Sequence, residues 1–354
     1  MRFMRRYRKI KLAPFIGAML LILIMTACSK DKGKVVFTTG FEENELFRIG
    51  EVSCSLPEYM IYLTNMQNKY EEAFGEEVWN ITFENAALED NVKDIALAQI
   101  AQMKSVYLLA MKEEVELTED EEAKLQKAAK EYFDSLSETE VKAMGVTQKE
   151  VWDLYREYAL AQKVYEQIVA QVNPEISDDE ARTVVVEQIF LKTHVVDSSG
   201  KKIEYSSSMK AECLVTLQEI HEALVTEGKD FTELAGKYSE SEEIRLSLQK
   251  GEAPAILDNV VFNLRTDEVS DIIETEDGYY ILKCISTLDR AQTDANKLVI
   301  VEQRKKAAFE QEYDAFVNTL ARKLNEKLWE KVELIRAKDV DTSNFFAIYN
   351  KYFQ

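Results

Sequence analysis

Histidine is nearly missing from this chain: among 354 residues only His194 and His221 carry an imidazole. That excludes a histidine-rich metal centre. Cysteine is almost as scarce, with four. Cys28 is set apart by its surroundings. The other three, Cys54, Cys213 and Cys284, are odd in number and show no C-x-x-C spacing, so they do not make a disulfide framework. Three free thiols are expected, a single pair being the alternative. No G-x-G-x-x-G, P-loop or H-E-x-x-H string occurs, which removes the usual signatures of dinucleotide, phosphate and zinc-protease chemistry. S-x-x-K strings such as Ser207–Lys210 and Ser247–Lys250 lack the K-T-G that accompanies them in serine β-lactam enzymes and read as chance matches. Positive charge is deficient too: 44 Lys and Arg stand against 64 Asp and Glu, a formal charge of −20. Such a surface disfavours nucleic acid, whose binding needs cations on phosphates, and it repels anionic lipid headgroups. An apolar content of 46% excludes wholesale disorder.

The start of the chain is basic, against the acidic balance of the rest. Arg2, Arg5, Arg6, Arg8, Lys9 and Lys11 precede an apolar run from Leu12 to Met25, which closes on Met25-Thr26-Ala27-Cys28. Charge, then grease, then small residues is the order of a secretory signal peptide, expected over 1–27. At about 14 residues the run is short of the roughly 20 a permanent membrane span needs. The closing residues resemble the lipobox of bacterial lipoproteins, which implies cleavage before Cys28 and a lipid on its thiol. The alternative is a plain N-terminal membrane anchor with an incidental cysteine. Loss of those six cations takes the formal charge from −20 to −26. Residues 28–34 read as a polar tether, and the mature part is expected outside the cytoplasm.

Beyond the tether, Val35–Thr39 and Leu46–Val52 read as short strands. Ser55/Glu58, Thr118/Glu121, Ser137/Glu140, Thr147/Glu150 and Ser177/Glu180 each have the S/T-x-x-E spacing of a capping box. With apolar faces such as Ile100, Met103, Tyr107 and Met111, they predict an all-helical stretch over 83–173. The pattern then changes. Val184–Leu191 is a β-rich run, Asp197–Gly200 a turn, and a helix through Leu217, Ile220, His221 and Leu224 stops near Gly228. Tyr279–Ile285 is a second strand, opened by Asp277-Gly278. A long helix is expected from about 294 to 332, on the stripe Phe309, Tyr313, Phe316, Leu320 and Leu324. It should pack back on the first helical block, and the apolar 343–354 stretch should not be a loose tail. The fold class is therefore α+β: a helical module (35–176 and 291–354) with an α+β domain (177–290) inserted.

Four pieces in order carry a resemblance. Lys229-Asp230-Phe231-Thr232-Glu233-Leu234-Ala235 runs on to Tyr238-Ser239-Glu240-Ser241. Lys250-Gly251-Glu252 follows, then Phe262-Asn263-Leu264 with Glu268-Val269-Ser270, and last Thr275-Glu276-Asp277-Gly278-Tyr279-Tyr280-Ile281. Together they resemble the parvulin peptidyl-prolyl isomerase domain. With the leader and the helical flanks, the chain resembles extracytoplasmic foldase lipoproteins of the PrsA/SurA type, in which a helical chaperone module carries such a domain. The stretch Ile49-Gly50-Glu51-Val52 to Glu58 is similar to the opening of that module.

An isomerase needs no nucleophile. It needs an apolar grip on the proline ring and polar groups that favour the twisted amide, against a rotation barrier of about 18–20 kcal/mol. The resemblance places the family's two histidines on Gln188 and Tyr280, its Cys or Asp on Ser241, and its Met and Phe walls on Ala253 and Leu257. Phe262 also faces the expected groove. The glycines of the family's Gly-Gly-Asp-Leu-Gly segment are missing from Glu242–Gln249. No metal or cofactor is implied. The partners implied are unfolded or partly folded exported polypeptides. Three functions compete: a parvulin-type isomerase, a non-catalytic holdase in which the domain grips peptide, and a solute-binding lipoprotein. The pocket substitutions favour the holdase over the isomerase, and the helical stretch 83–173 argues against two strand–helix lobes.

Overall fold

The computed structural model describes residues 40–83 and 86–353. The expected leader, Cys28 with its tether and the strand at Val35–Thr39 lie outside the described residues. In chain order the elements are β1 (Glu45–Ile49), β2 (Val52–Ser55), α1 (Leu56–Phe74), β3 (Thr82–Phe83), β4 (Ala86–Ala87), α2 (Leu88–Lys112), α3 (Glu119–Ser135), α4 (Glu138–Met144) and α5 (Gln148–Val169). Then come α6 (Asp178–Ala181), β5 (Thr183–Lys192), β6 (His194–Val196), β7 (Lys202–Glu204), α7 (Ser207–Val225), α8 (Phe231–Tyr238), β8 (Arg245–Gln249), α9 (Ala255–Val261), β9 (Ile273–Glu274) and β10 (Gly278–Ser286). The last are α10 (Arg290–Val317), β11 (Arg322–Leu324), α11 (Glu326–Trp329) and α12 (Phe345–Phe353). They divide into a discontinuous helical unit, which runs to Gln171 and resumes at Ala308, and a continuous unit, Val172–Ala307. The α+β class holds. Among the described residues no helix is long and apolar enough to cross a membrane.

Local sequence starts the helices. Ser55 accepts from the Glu58 N–H while the Glu58 carboxylate takes the Ser55 N–H at 2.7 Å. The same reciprocal box opens α3, α4 and α5, and a Ser or Thr N-cap is worth about 1 kcal/mol over Ala. At Ser177 only the forward bond forms, from the Glu180 N–H at 3.1 Å. Gly145, left-handed at φ 67°, ends α4 two residues before the next box, a conformation that suits glycine.

Two expectations need correction. Leu46–Val52 is not one strand but a hairpin: Gly50 at φ 54° turns the chain between β1 and β2. The helix expected over 294–332 stops at Val317. Thr319 and Leu320 donate back three residues to Phe316 and Val317, and the chain straightens into β11, which pairs with β1. Leu320 and Leu324 keep their apolar role against the helical core, without the helix. The Gly50 N–H, donated to Ala321 O at 2.9 Å, ties the hairpin turn to the same return.

Buried amides on α1 hold the returning segment. Gln67 brackets Ile335, donating to its carbonyl at 2.9 Å and accepting its N–H at 3.1 Å. Asn68 donates to Thr342 O at 2.9 Å, and Asn65 accepts the Phe345 N–H at 3.1 Å. Phe345 is fully buried, stacked on Tyr155 at 4.4 Å and edge-on to Tyr132 at 5.1 Å. The 343–353 stretch is thus core, as its composition required.

The continuous unit is built on an antiparallel sheet in the order β8-β5-β10-β9, with β6 and β7 forming a separate hairpin around the Asp197–Gly200 turn. Side chains alternate across the sheet. Ile189, Leu191, Tyr279 and Ile281 meet Leu217, Ile220 and Leu224 of α7 and Phe231 and Ala235 of α8 on one face. Val184, Val186 and Leu282 meet Val261 of α9 on the other. Asn296 of α10 pins the start of β5, donating to Ala181 O at 3.0 Å and Thr183 Oγ1 at 2.8 Å.

Candidate functional site

The sheet face beneath α9 carries the residues singled out from the sequence. Register sets Tyr280 opposite Phe190 and Leu282 opposite Gln188. Gln188, Phe190, Tyr280 and Leu282 therefore share one face. Leu257, Phe262 and Tyr280 pack against the same apolar cluster. Ala253 stands in the turn before α9 and is not part of that cluster.

Gln188 is 8% exposed. Its side-chain amide donates to Ser241 Oγ at 2.9 Å and to Glu243 O at 2.8 Å, and Ser241 Oγ donates to Glu243 O at 2.9 Å. Ser241 is brought here because the segment after α8 is laced to β5. The Phe190 N–H donates to Ser239 Oγ at 3.1 Å, the Glu240 N–H to Phe190 O at 2.8 Å, and the Gln188 N–H to Ile244 O at 2.8 Å. The structure thus joins Gln188 to Ser241 and Leu257 to Phe262 and Tyr280, and it leaves Ala253 aside.

Two residues of this face escaped the sequence reading. The Phe190 ring stacks on Tyr280 with centroids 4.4 Å apart at 26°. Its signal was its place two residues beyond Gln188 on a strand, hence the same face. Arg182 lays its guanidinium 5.0 Å over the Phe262 ring and donates to Phe262 O at 3.0 Å; nothing in its local sequence marked it.

Burial, helped by the Asp277 charge, pushes the Tyr280 phenol above its ordinary value, so it keeps its proton at any physiological pH. The Cys284 thiol is likewise pushed up by burial and stays protonated. Cys54, Cys213 and Cys284 are all free. No three His, Cys, Asp or Glu side chains among the described residues are grouped as a metal would require. The face offers an aromatic platform (Phe190, Tyr280), an apolar wall (Leu257, Phe262) and a polar rim (Gln188, Ser241). It can hold an apolar ring or an extended, partly apolar peptide.

Residues 194–286 match the rotamase family model, described as a PPIC-type PPIase domain. The matched span contains Ser241, Leu257, Phe262 and Tyr280, whereas Phe190 and Gln188 fall just before it. No curated protein matches the chain. Among solved structures, the chain is similar to the peptidylprolyl isomerase PrsA of Bacillus cereus, at 17% identity over 76% of this chain and 97% of that one, with a TM-score of 0.35. It is similar to the foldase protein PrsA of Streptococcus pneumoniae at 14% identity, over 84% and 97%, with a TM-score of 0.29. A structure from a study of SurA-like chaperones of Campylobacter jejuni aligns at 11% identity over 83% and 99%, with a TM-score of 0.25. These superpositions are loose, and it is the domain match that bears on chemistry.

Proposed function

We propose that this protein is an extracytoplasmic folding factor that grips extended, partly apolar segments of exported polypeptides on its rotamase-type unit, with little or no catalysis of prolyl isomerisation. In this reading a lipid on Cys28 tethers it to a membrane, since its acidic surface gives headgroups nothing to hold. The observation that carries the proposal is the face that Gln188, Phe190 and Tyr280 build on the two central strands of the rotamase-type unit, with Ser241 bonded to Gln188. The aromatic pair and the apolar wall are those of a peptide grip. Catalysis asks for more: groups that bind the twisted amide better than either planar form. Gln188 spends its amide N–H groups on Ser241 and Glu243, so its donors are already committed. The isomerase stays as a second reading because the Tyr280 hydroxyl remains a proton donor beside the platform.

Exchange NMR on a short Ala-Pro peptide with the full chain in mild detergent tests both. The expected result is peptide line broadening that disappears in Tyr280→Ala, with cis–trans exchange accelerated less than about tenfold. That bound corresponds to about 1.4 kcal/mol off the barrier. Acceleration of a hundredfold or more would make isomerisation the function. No broadening, together with no suppression of client aggregation at equimolar protein, would overturn both readings.

A further inference from the structure

A second cluster lies wholly inside the helical unit. Lys104 of α2 is 1% exposed, and its Nζ sits 2.6 Å from Glu58 Oε1 of α1 and 2.6 Å from Glu157 Oε2 of α5. Three helices thus meet on one ammonium. The charges do not balance: two carboxylates share one cation, and a buried site resists an uncompensated charge. The two carboxylates are not equivalent. Glu58 is held further, its other oxygen taking the Ser55 N–H at 2.7 Å. Glu157 Oε2 has the ammonium 2.6 Å away as its neighbour.

The cluster forms the wall of a cleft of about 400 Å³, whose rim includes Trp152, Asp153 and Arg156. Most other titratable neighbours are paired or keep their protons, and the Asp153 charge favours the proton on Glu157. Cys54 of β2 is a fully buried thiol pushed far up by burial. Tyr62 of α1, Tyr107 of α2 and Tyr158 of α5 are phenols pushed up by burial. Asp153 is paired with Lys149 at 2.6 Å and Arg156 with Glu122 at 2.9 Å. Glu150, also on the cleft, is engaged in its capping box with Thr147.

We propose that Lys104, Glu58 and Glu157 form a pH sensor of the helical unit: with one proton on Glu157 the cluster is neutral and staples α5 to α1 and α2, and without it the cluster carries a net negative charge that loosens α5 and opens the cleft. The proton leaves the Glu157 carboxyl for solvent through the cleft, and Lys104 keeps its own. The direction of titration agrees. Burial foremost pushes Glu157 up to about 7; the Lys104 ammonium opposes it, and the Glu58 and Asp153 charges add to it. Lys104 is held above its ordinary value: burial opposes its charge, but Glu157 and Glu58 outweigh that. Because the folded carboxyl is raised above its unfolded value, its contribution to stability is whole below about pH 4.5 and lost as pH rises through about 7. The sensor is independent of any isomerase activity in the other unit.

The test is tryptophan emission of the full chain in mild detergent from pH 5.5 to 8.5, with Trp152→Phe identifying the share that comes from the cleft. Wild type is expected to show a transition centred near pH 7 that is missing in Glu157→Gln, a neutral mimic of the closed form. Glu58→Gln, which leaves one carboxylate for one ammonium, is expected to move the transition down by at least one pH unit, so the proposal stays testable should Glu157→Gln not fold. A flat wild-type profile, or a transition that survives unchanged in Glu157→Gln and Glu58→Gln, would overturn it.

Discussion

Gln188, a residue of the candidate site, is also a strut. Its amide closes a small polar ring with Ser241 and the Glu243 carbonyl, on a strand that is mostly apolar. Gln188→Ala removes both donated bonds, while the Glu243 carbonyl keeps its bond from Ser241. The expected cost is about 1–2 kcal/mol, read as a lowered thermal midpoint of the full chain. A change within error would mean that water replaces the amide without loss. Gln188 and Tyr280 could be placed from sequence because the resemblance sets the family's two histidines on them. Phe190 could not be matched to Tyr280, because their stacking depends on a register between strands some ninety residues apart. Nor could Glu157 be told from the many other exposed-looking carboxylates. Only folding brings it against Lys104.

The elements divide along the same line between local and distant causes. Helix starts were legible, since an S/T-x-x-E box is closed within four residues and four of the five formed in full. The end of α10 was not. Its apolar stripe keeps helical spacing past Val317, but β1 offers an unpaired edge that only a strand can fill, and that edge lies far upstream. At Gly278 the constraint is steric: an added Cβ would stand 2.2 Å from Leu191 O and 2.8 Å from Lys192 Cα, backbone atoms of β5 that cannot step aside. Gly278→Ala should therefore part the start of β10 from β5 and cost on the order of 3 kcal/mol. Gly236→Ala, on α8 where a Cβ meets nothing within 4 Å, should be neutral or stabilising by about 0.5–1 kcal/mol. Urea denaturation of the two variants side by side checks the pair, and equal midpoints would contradict the close approach.

For the molecule as a whole, the discontinuous unit is the main fact. Its interior is shared between residues before Gln171 and residues after Ala308, whereas the continuous unit carries its own two apolar clusters. A chain that stops after Thr342 loses Phe345 and Tyr349 from among Tyr132, Tyr155 and Tyr158. Loss of one buried phenylalanine alone costs about 3–5 kcal/mol. Limited proteolysis of that truncation should cut the helical unit throughout while a fragment near 172–307 survives. Equal protection of both units would show that α12 is dispensable.

The amides of Asn65, Gln67 and Asn68 reach across to residues 335–345. During synthesis those residues appear last, after the whole of the continuous unit. For that interval α1 is a half-made helix with naked polar groups and uncovered aromatic rings beside it. A protein proposed to shelter unfinished chains thus spends its own beginning as one of them, and its first need of a holding partner is for itself.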